Sequence, residues 1–253
     1  MIGLTKRFAK NVVHKLGQWY GRELCRREHE AMHFQPCERP IEYRFLFQQL
    51  TRIMPRTVLD VGTGTSALPF IMQRCGPLVT ATDNVRDYWA NGLYNRHYHI
   101  IDDDITNTRL KSQFDVITCI SVLEHIARPD DAVRNMFRLL KPGGHLILTF
   151  PYNESHYIDN VYQLPGAGYG KDLPYICQVY SRVELQKWSE QNSACIQEQE
   201  YWECFSGDFW TFGEYLLPPR PSGPKQKHHL TCVLMRAAER GQDAAESADV
   251  SRL

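Results

Sequence analysis

The nine residues Val58 to Ser66, VLDVGTGTS, constrain this chain more than any other segment. Thr57 to Val61 form a short β-branched, apolar run that reads as a strand carrying an acid, Asp60. The run then breaks into glycine turn chemistry at Gly62 and Gly64, and Ser66 is placed to N-cap a helix beginning near Ala67. Strand, glycine turn and helix N-terminus in succession make a cradle for a nucleotide-like ligand. The turn lets backbone approach closely, and the helix start presents unpaired N–H groups.

From this strand onward the pattern alternates. A helix over Ala67 to Arg74 stops at Cys75-Gly76-Pro77, and Leu78 to Thr82 form a second strand closed by Asp83. Asn84 to Gly92 read as helix, and His97 to Ile101 as a third strand ended by Asp102-Asp103-Asp104. Phe114 to Ile120 (FDVITCI) is nearly all apolar, as a strand covered on both faces should be. A helix over Asp130 to Leu140 ends at Lys141-Pro142-Gly143-Gly144, and His145 to Phe150 form a fifth strand. Residues 151–180 have no clear period. Ser181 to Gln191 read as a helix with a capping box between Ser181 and Glu184. Tyr201 to Phe205 and Leu230 to Arg236 read as two final strands separated by an aromatic block and a proline-rich basic loop. The expected fold is α/β: a Rossmann-like, doubly wound, seven-stranded, mostly parallel sheet with a ligand at the carboxyl ends of its strands.

Ahead of the sheet, residues 1–54 are expected to be a helical extension, with a second helix over Glu42 to Ile53 directly before the glycine strand. Leu4, Phe8, Val12 and Leu16 recur every four residues, with Val13, Trp19 and Tyr20 widening the stripe and Lys6, Arg7, Lys10 and Lys15 on other faces. Such a helix serves as a lid over the ligand or docks peripherally on an anionic membrane surface. Residues 55–238 hold the expected sheet domain, and the polar, alanine-rich residues 239–253 read as a disordered tail. Twenty-nine basic residues balance 29 acidic ones, so no global field draws the chain to nucleic acid. Eight cysteines occur without a C-x-x-C pair, which argues against a zinc or thioredoxin-type site, and no metal is expected. Several lie in apolar segments, as reduced thiols of a cytoplasmic protein would.

Two cofactors compete for the glycine turn. Gly62, Gly64 and Ala67 satisfy the G-x-G-x-x-A dinucleotide pattern, and Asp83 follows Gly62 by 21 residues, where a ribose-binding acid is expected. By spacing, NAD and an oxidoreductase remain open. Asp60, however, would set an anion beside a pyrophosphate. A carboxylate there better suits a cationic aminoacyl sulfonium such as S-adenosylmethionine, which has an ammonium group and no phosphate.

Taken in order, VLDVGTGTS, TATDN, DDDI, FDVITCISVLEHI and LLKPGGHLILTFP resemble the successive motifs of class I S-adenosylmethionine-dependent methyltransferases, in the small-molecule branch that includes the ubiquinone-biosynthesis O-methyltransferases. The resemblance covers about residues 55–151 and continues weakly through the helix at Ser181. It implies that Gly62 and Gly64 admit the methionine portion and Asp60 orients it. It further implies that Asp83 accepts from both ribose hydroxyls, that Asp104 meets the adenine amino group with Ile105 against the ring, and that Ile120 and Ser121 border the methionine side. Ser66 stands where family members commonly carry a third glycine. A degenerate member that binds cofactor or a partner without catalysis is the remaining alternative.

The implied chemistry is displacement at a sulfonium methyl by an oxygen, nitrogen or carbon of a small-molecule acceptor, such as a sugar, an aromatic or a lipid-linked compound. Holding donor and acceptor in line supplies much of the catalysis. A hydroxyl acceptor also needs a base, and His156, in the irregular segment after the fifth strand, is the candidate, with Tyr152 and Asn153 as candidate substrate contacts. Glu124 and His125 match the family's loop-to-helix pattern as structural or gating residues. The absence of an Asn-Pro-Pro-Tyr or Asp-Pro-Pro-Tyr tetrapeptide after the fourth strand agrees with the neutral charge in favouring a small molecule over nucleic acid.

Overall fold

The computed structural model describes residues 2–31, 37–89 and 98–239. Two compact units make up the chain, Met1–Cys37 and Glu38–Leu253. The first holds one helix, α1 (Ile2–Ala31), 30 residues long, whose Arg26 and Glu23 pair at 2.7 Å. Among the described residues no helix is long and apolar enough to cross a membrane.

The second unit begins with α2 (Arg39–Ile53), which carries proline in its first turn, where the missing N–H costs nothing. Its Ile41, Phe45, Leu46 and Leu50 are buried against the sheet, so this helix, expected from sequence within the extension, belongs to the core. The chain then alternates β1 (Thr57–Val61), α3 (Leu68–Arg74), β2 (Leu78–Asp83), α4 (Val85–Tyr88), β3 (Ile100–Asp102), β4 (Phe114–Ile120), α5 (Pro129–Leu139) and β5 (Leu140–Pro151). It finishes with α6 (Arg182–Gln191), β6 (Ala194–Phe205), β7 (Tyr215–Ser222) and β8 (Leu230–Ala237).

Eight strands form one sheet in the order β3-β2-β1-β4-β5-β8-β6-β7, in which β1 to β5 run parallel and the last three antiparallel. The chain winds outward from β1 to β3, then returns to place β4 on the other side of β1, so the direction of winding reverses between β1 and β4. Ligands of open α/β sheets bind at that point, outside the carboxyl ends of the strands. The two central strands are buried accordingly: Val58, Leu59, Val116, Ile117 and Cys119 are fully enclosed, each large aliphatic side chain contributing roughly 2 kcal/mol. Cys119, Cys177, Cys204 and Cys232 are buried free thiols.

The structure departs from the sequence expectation in several places, β6 among them, which begins at Ala194 and not at Tyr201. The sheet has eight strands, because the proline-rich segment expected as a loop is the edge strand β7; only its partner β6 requires hydrogen bonds, so prolines are tolerated there. Lys141 to Gly144 continue into β5 instead of ending a helix. Between Phe114↔Leu140 and Val116↔His145 the register takes up three more residues on β5 than on β4, with Gly143 at φ 69°. Finally, Ala67, not Ser66, is the N-cap of α3; the Ser66 hydroxyl donates to Thr63 O at 2.9 Å and accepts from Leu68 N at 3.4 Å. The capping box of α6 forms as the sequence predicts, with Ser181 N donating to Glu184 at 2.8 Å. Residues 90–97 and 240–253, which include the end of the helix expected over Asn84 to Gly92, the start of the strand expected over His97 to Ile101 and the expected tail after residue 239, lie outside the described residues.

Candidate active site

The turn after β1 is held by backbone. Gly62 N and Thr63 N both donate to Thr82 O at 2.9 and 3.1 Å, so the turn is tied to the end of the neighbouring strand. Gly62 sits at φ 72°, and a Cβ there would lie 2.3 Å from Val122 Cγ1, so only glycine fits. Gly64, at φ 54°, donates its N–H to Asp83 Oδ2 at 2.7 Å, while Trp89 Nε1 donates to Asp83 Oδ1 at 3.0 Å. The Asp83 carboxylate thus bridges the glycine turn and an indole. Asp60 lies beneath the turn, 2 % exposed, and accepts from Thr118 Oγ1 at 2.5 Å. Burial, partly offset by that hydrogen bond, pushes its pKa up to about 6.

The facing wall comes from α2 and the end of β4. Arg39 Nη1 donates to Glu42 Oε2 at 2.7 Å and reaches Ile120 O at 3.5 Å. Glu42, fully buried, also accepts from Ser121 Oγ at 2.5 Å and Thr149 Oγ1 at 2.6 Å. This carboxylate staples the first turn of α2 to the carboxyl ends of β4 and β5. Ser121 takes φ 48° as the chain leaves β4, and its N–H donates back to Thr149 O at 3.0 Å. Between the two walls opens a cavity of ≈ 330 Å³ lined by Asp60, Gly62, Gly64, Ile120, Ser121 and, from α2, Arg39 and Tyr43.

This turn-and-acid geometry at the reversal point of the sheet has relatives. The methyltransferase-domain family matches residues 28–193. The chain belongs to the class I S-adenosylmethionine-dependent methyltransferases. The ubiquinone biosynthesis O-methyltransferase of Coxiella burnetii (strain RSA 493 / Nine Mile phase I) is 30% identical over 164 residues, covering 60% of this chain and 68% of that protein. The corresponding protein of Serratia proteamaculans (strain 568) is 30% identical over 129 residues, 46% of this chain and 52% of its own. Among solved structures, the N-methyltransferase NodS of Bradyrhizobium japonicum WM9, in complex with S-adenosylhomocysteine, matches with a TM-score of 0.51 at 15% identity, covering 81% of this chain and 89% of NodS. A methyltransferase of Methanosarcina mazei matches with a TM-score of 0.52 at 14% identity, over 76% of this chain and 98% of its own. At such identity these structures establish the shared fold.

S-adenosylmethionine is accordingly the cofactor of this methyltransferase, and the oxidoreductase reading of the glycine turn falls away. The residues present fit the group. Its methionine end is a zwitterion, and the cavity offers one buried carboxylate, Asp60, and one guanidinium, Arg39, across a turn with no room for a Cβ at Gly62. Sequence reasoning missed Arg39 and Tyr43, which line the cavity from α2, Thr63 and Trp89 beside the turn, and Glu42, which orients Arg39 and Ser121 from behind. The available signal was polar Glu42 and Gln49 recurring within the apolar face that carries Phe45 and Leu46; both polar side chains are fully buried.

Other expected residues of the methyltransferase sit apart from the cavity lining. Asp104 caps the 3-10 turn Ile105–Asn107, accepting from Thr106 N at 2.8 Å, and Ile105 is buried in the core cluster beside Phe114 and Leu123. His156 is exposed, with its N–H donating to Asn153 Oδ1 at 3.1 Å and its ring 6.3 Å from that of Phe209. Asn153 also accepts from Ser155 N at 3.0 Å, while Tyr152 is buried, its hydroxyl donating to Glu154 at 2.9 Å. Glu124 and His125 lie in the 3-10 turn Leu123–His125. His125 Nδ1 is 2.6 Å from Ile176 O, which makes Nδ1 the protonated nitrogen and leaves Nε2 an acceptor 3.9 Å from Glu124 Oε1. Burial raises the Glu124 pKa well above the carboxylate range and lowers that of His125.

Proposed function

We infer that this methyltransferase methylates an oxygen or nitrogen of a small-molecule acceptor in the cytoplasm. The observation that carries the reading is the buried Asp60 carboxylate beside a glycine turn that excludes any side chain, opposite the Arg39 guanidinium. Asp60 accepts from the ammonium of the bound cofactor, and Arg39 meets its carboxylate. Asp83, at the end of β2 beside the turn, would accept from the ribose diol, and Asp104 with Ile105 would serve the adenine end. Ile120 and Ser121 border the methionine side. The cofactor supplies an electrophilic methyl on a sulfonium. The protein's share is to hold an acceptor in line with that carbon, exclude water and take a proton where the acceptor is a hydroxyl.

His156 is the proposed base, on the loop that follows β5 at the carboxyl edge of the sheet. His156→Ala is expected to lower turnover with the affinity for S-adenosylhomocysteine unchanged; wild-type turnover removes it from the mechanism. Calorimetric titration with S-adenosylmethionine, S-adenosylhomocysteine and NAD tests the cofactor assignment, which binding of NAD alone would overturn. A methyl-transfer assay with labelled donor against pools of small acceptors separates a catalyst from a non-catalytic binder and identifies the acceptor atom.

α1 is proposed as a peripheral membrane contact, its Phe8, Val12, Leu16 and Trp19 stripe entering the interface while Lys6, Arg7 and Lys10 meet anionic headgroups. Flotation of the full chain with phosphatidylglycerol vesicles, with and without residues 1–20, tests this. Failure of the full chain to float ends the idea.

A further inference from the structure

A second cavity, of ≈ 500 Å³, shares no lining residue with the first. Its wall is built from the segment without sequence periodicity. Gln178, 3 % exposed, donates from its backbone N to Glu124 O at 2.9 Å and from Nε2 to Ile126 O at 2.8 Å, and its Oε1 accepts from Tyr157 OH at 2.7 Å. A side chain with every polar atom committed therefore fixes the Tyr157 ring, which itself remains 45 % exposed on the cavity. Asn160 is oriented in the same way: its Oδ1 accepts from Tyr162 N and Cys177 N, both at 3.2 Å, which leaves Nδ2 without a partner among the described residues. Asp159 spends one carboxylate oxygen on Asn160 N at 2.9 Å and keeps the other. The Gln163 amide, exposed, makes no side-chain hydrogen bond among the described residues.

The lining thus offers a held aromatic face, a carboxylate oxygen and two primary amides over an apolar floor of Leu164 and Ile176. Among the described residues no lysine, arginine or histidine lines it. Planar carboxylate and amide groups match vicinal hydroxyls, which both donate and accept, and a fixed aromatic face matches the C–H face of a saturated ring. An anionic ligand would meet Asp159 with no cation to offset it, and an aliphatic one would leave the amides unpaired.

We propose that this second cavity binds a neutral pyranose unit, with the Tyr157 ring as its platform and Asp159, Asn160 and Gln163 as its hydroxyl partners. Ser121 and Val122 line the first cavity and Ala127 the second, so one short turn separates the two. A glycosylated acceptor would be gripped by its sugar here; that extension alone rests on the methyl-transfer reading.

The test is ligand-observed NMR and calorimetry of the full chain with cellobiose and N,N′-diacetylchitobiose as neutral probes and glucose 6-phosphate as the anionic one. At least one neutral disaccharide is expected to bind in the millimolar range, and glucose 6-phosphate more weakly. Tyr157→Ala is expected to weaken the disaccharide about tenfold, whereas Tyr157→Phe, which keeps the ring, retains most of the binding. Gln163→Ala, an exposed change, is expected to weaken it about threefold with the melting temperature unchanged, which keeps the proposal testable if Tyr157→Ala misfolds. No saturable binding of either disaccharide at tens of millimolar, tighter binding of the phosphate, or wild-type affinity in a folded Tyr157→Ala protein would overturn it. S-adenosylhomocysteine titrated in parallel distinguishes the two readings: sugar binding with no nucleoside binding sinks the methyl-transfer assignment and leaves the sugar site standing.

Discussion

Gly62 and Gly64 look alike in the sequence, but the structure ranks them. A methyl group on Gly62 collides with Val122 at 2.3 Å in a left-handed backbone, whereas on Gly64 it would meet Trp89 Cζ2 at an ordinary 3.7 Å. Gly64→Ala therefore costs only the left-handed conformation, about 1 kcal/mol. Gly62→Ala adds the displacement of Val122, for about 3 kcal/mol in all, and deforms the turn of the proposed cofactor site. Chemical denaturation with parallel S-adenosylhomocysteine titration checks the order, and a Gly64→Ala protein that proves the worse of the two contradicts it. The turn was legible because Asp60, Gly62 and Gly64 fall within five consecutive residues, so their spacing carries the geometry. Arg39 was not legible in the same way, since it reaches the cavity through helix packing and its local signal is indirect, the polar Glu42 on the apolar face of α2.

At the scale of elements, the parallel strands were legible because strands buried on both faces read as unbroken apolar runs. β7 was obscured because its prolines and exposed flank carry no period, its strand geometry being imposed by pairing with β6. α2 was legible as a helix, but not its attachment, which combines buried Ile41, Phe45, Leu46 and Leu50 with Glu42, a charge inside that apolar face. Removing that carboxylate leaves Ser121, Thr149 and Arg39 without their shared acceptor. Glu42→Ala is expected to destabilise the fold by about 2–3 kcal/mol, the scale of hydrogen bonds to a buried charge. It should also weaken S-adenosylhomocysteine binding, because Arg39 and Ser121 lose the group that orients them. Glu42→Gln keeps an acceptor oxygen and should lose less of both. Equal loss in the two variants would show that the charge, and not the acceptor geometry, holds the helix.

For the whole molecule, pH couples stability to the cofactor through groups of opposite sign. His229, 1 % exposed, accepts at Nδ1 from Cys204 N and Phe205 N at 3.1 and 3.3 Å and donates from Nε2 to Gly207 O at 2.9 Å, so a second proton has no place in the fold. Burial lowers its pKa, and it does the same to its neighbour His228. Unfolding then takes up protons below the ordinary histidine value of about 6.5, and stability falls as pH drops through it. Asp60 acts the other way. Its folded pKa of about 6 lies above its unfolded value, so the free protein gains stability as pH falls through 6. In the proposed complex the cofactor ammonium would keep Asp60 ionised and remove that compensation, so the complex should lose stability in acid more steeply than the free protein. The rise in melting temperature on adding S-adenosylhomocysteine is therefore expected to shrink between about pH 7.5 and about pH 5.5, following a loss of affinity of up to tenfold per pH unit below about 6. Asp60→Asn carries no charge to titrate, so its smaller thermal shift should be nearly constant over the same interval. A shift that stays constant in the wild type, or shrinks equally in Asp60→Asn, would detach Asp60 from the ammonium and leave the histidines as the source of the acid limit.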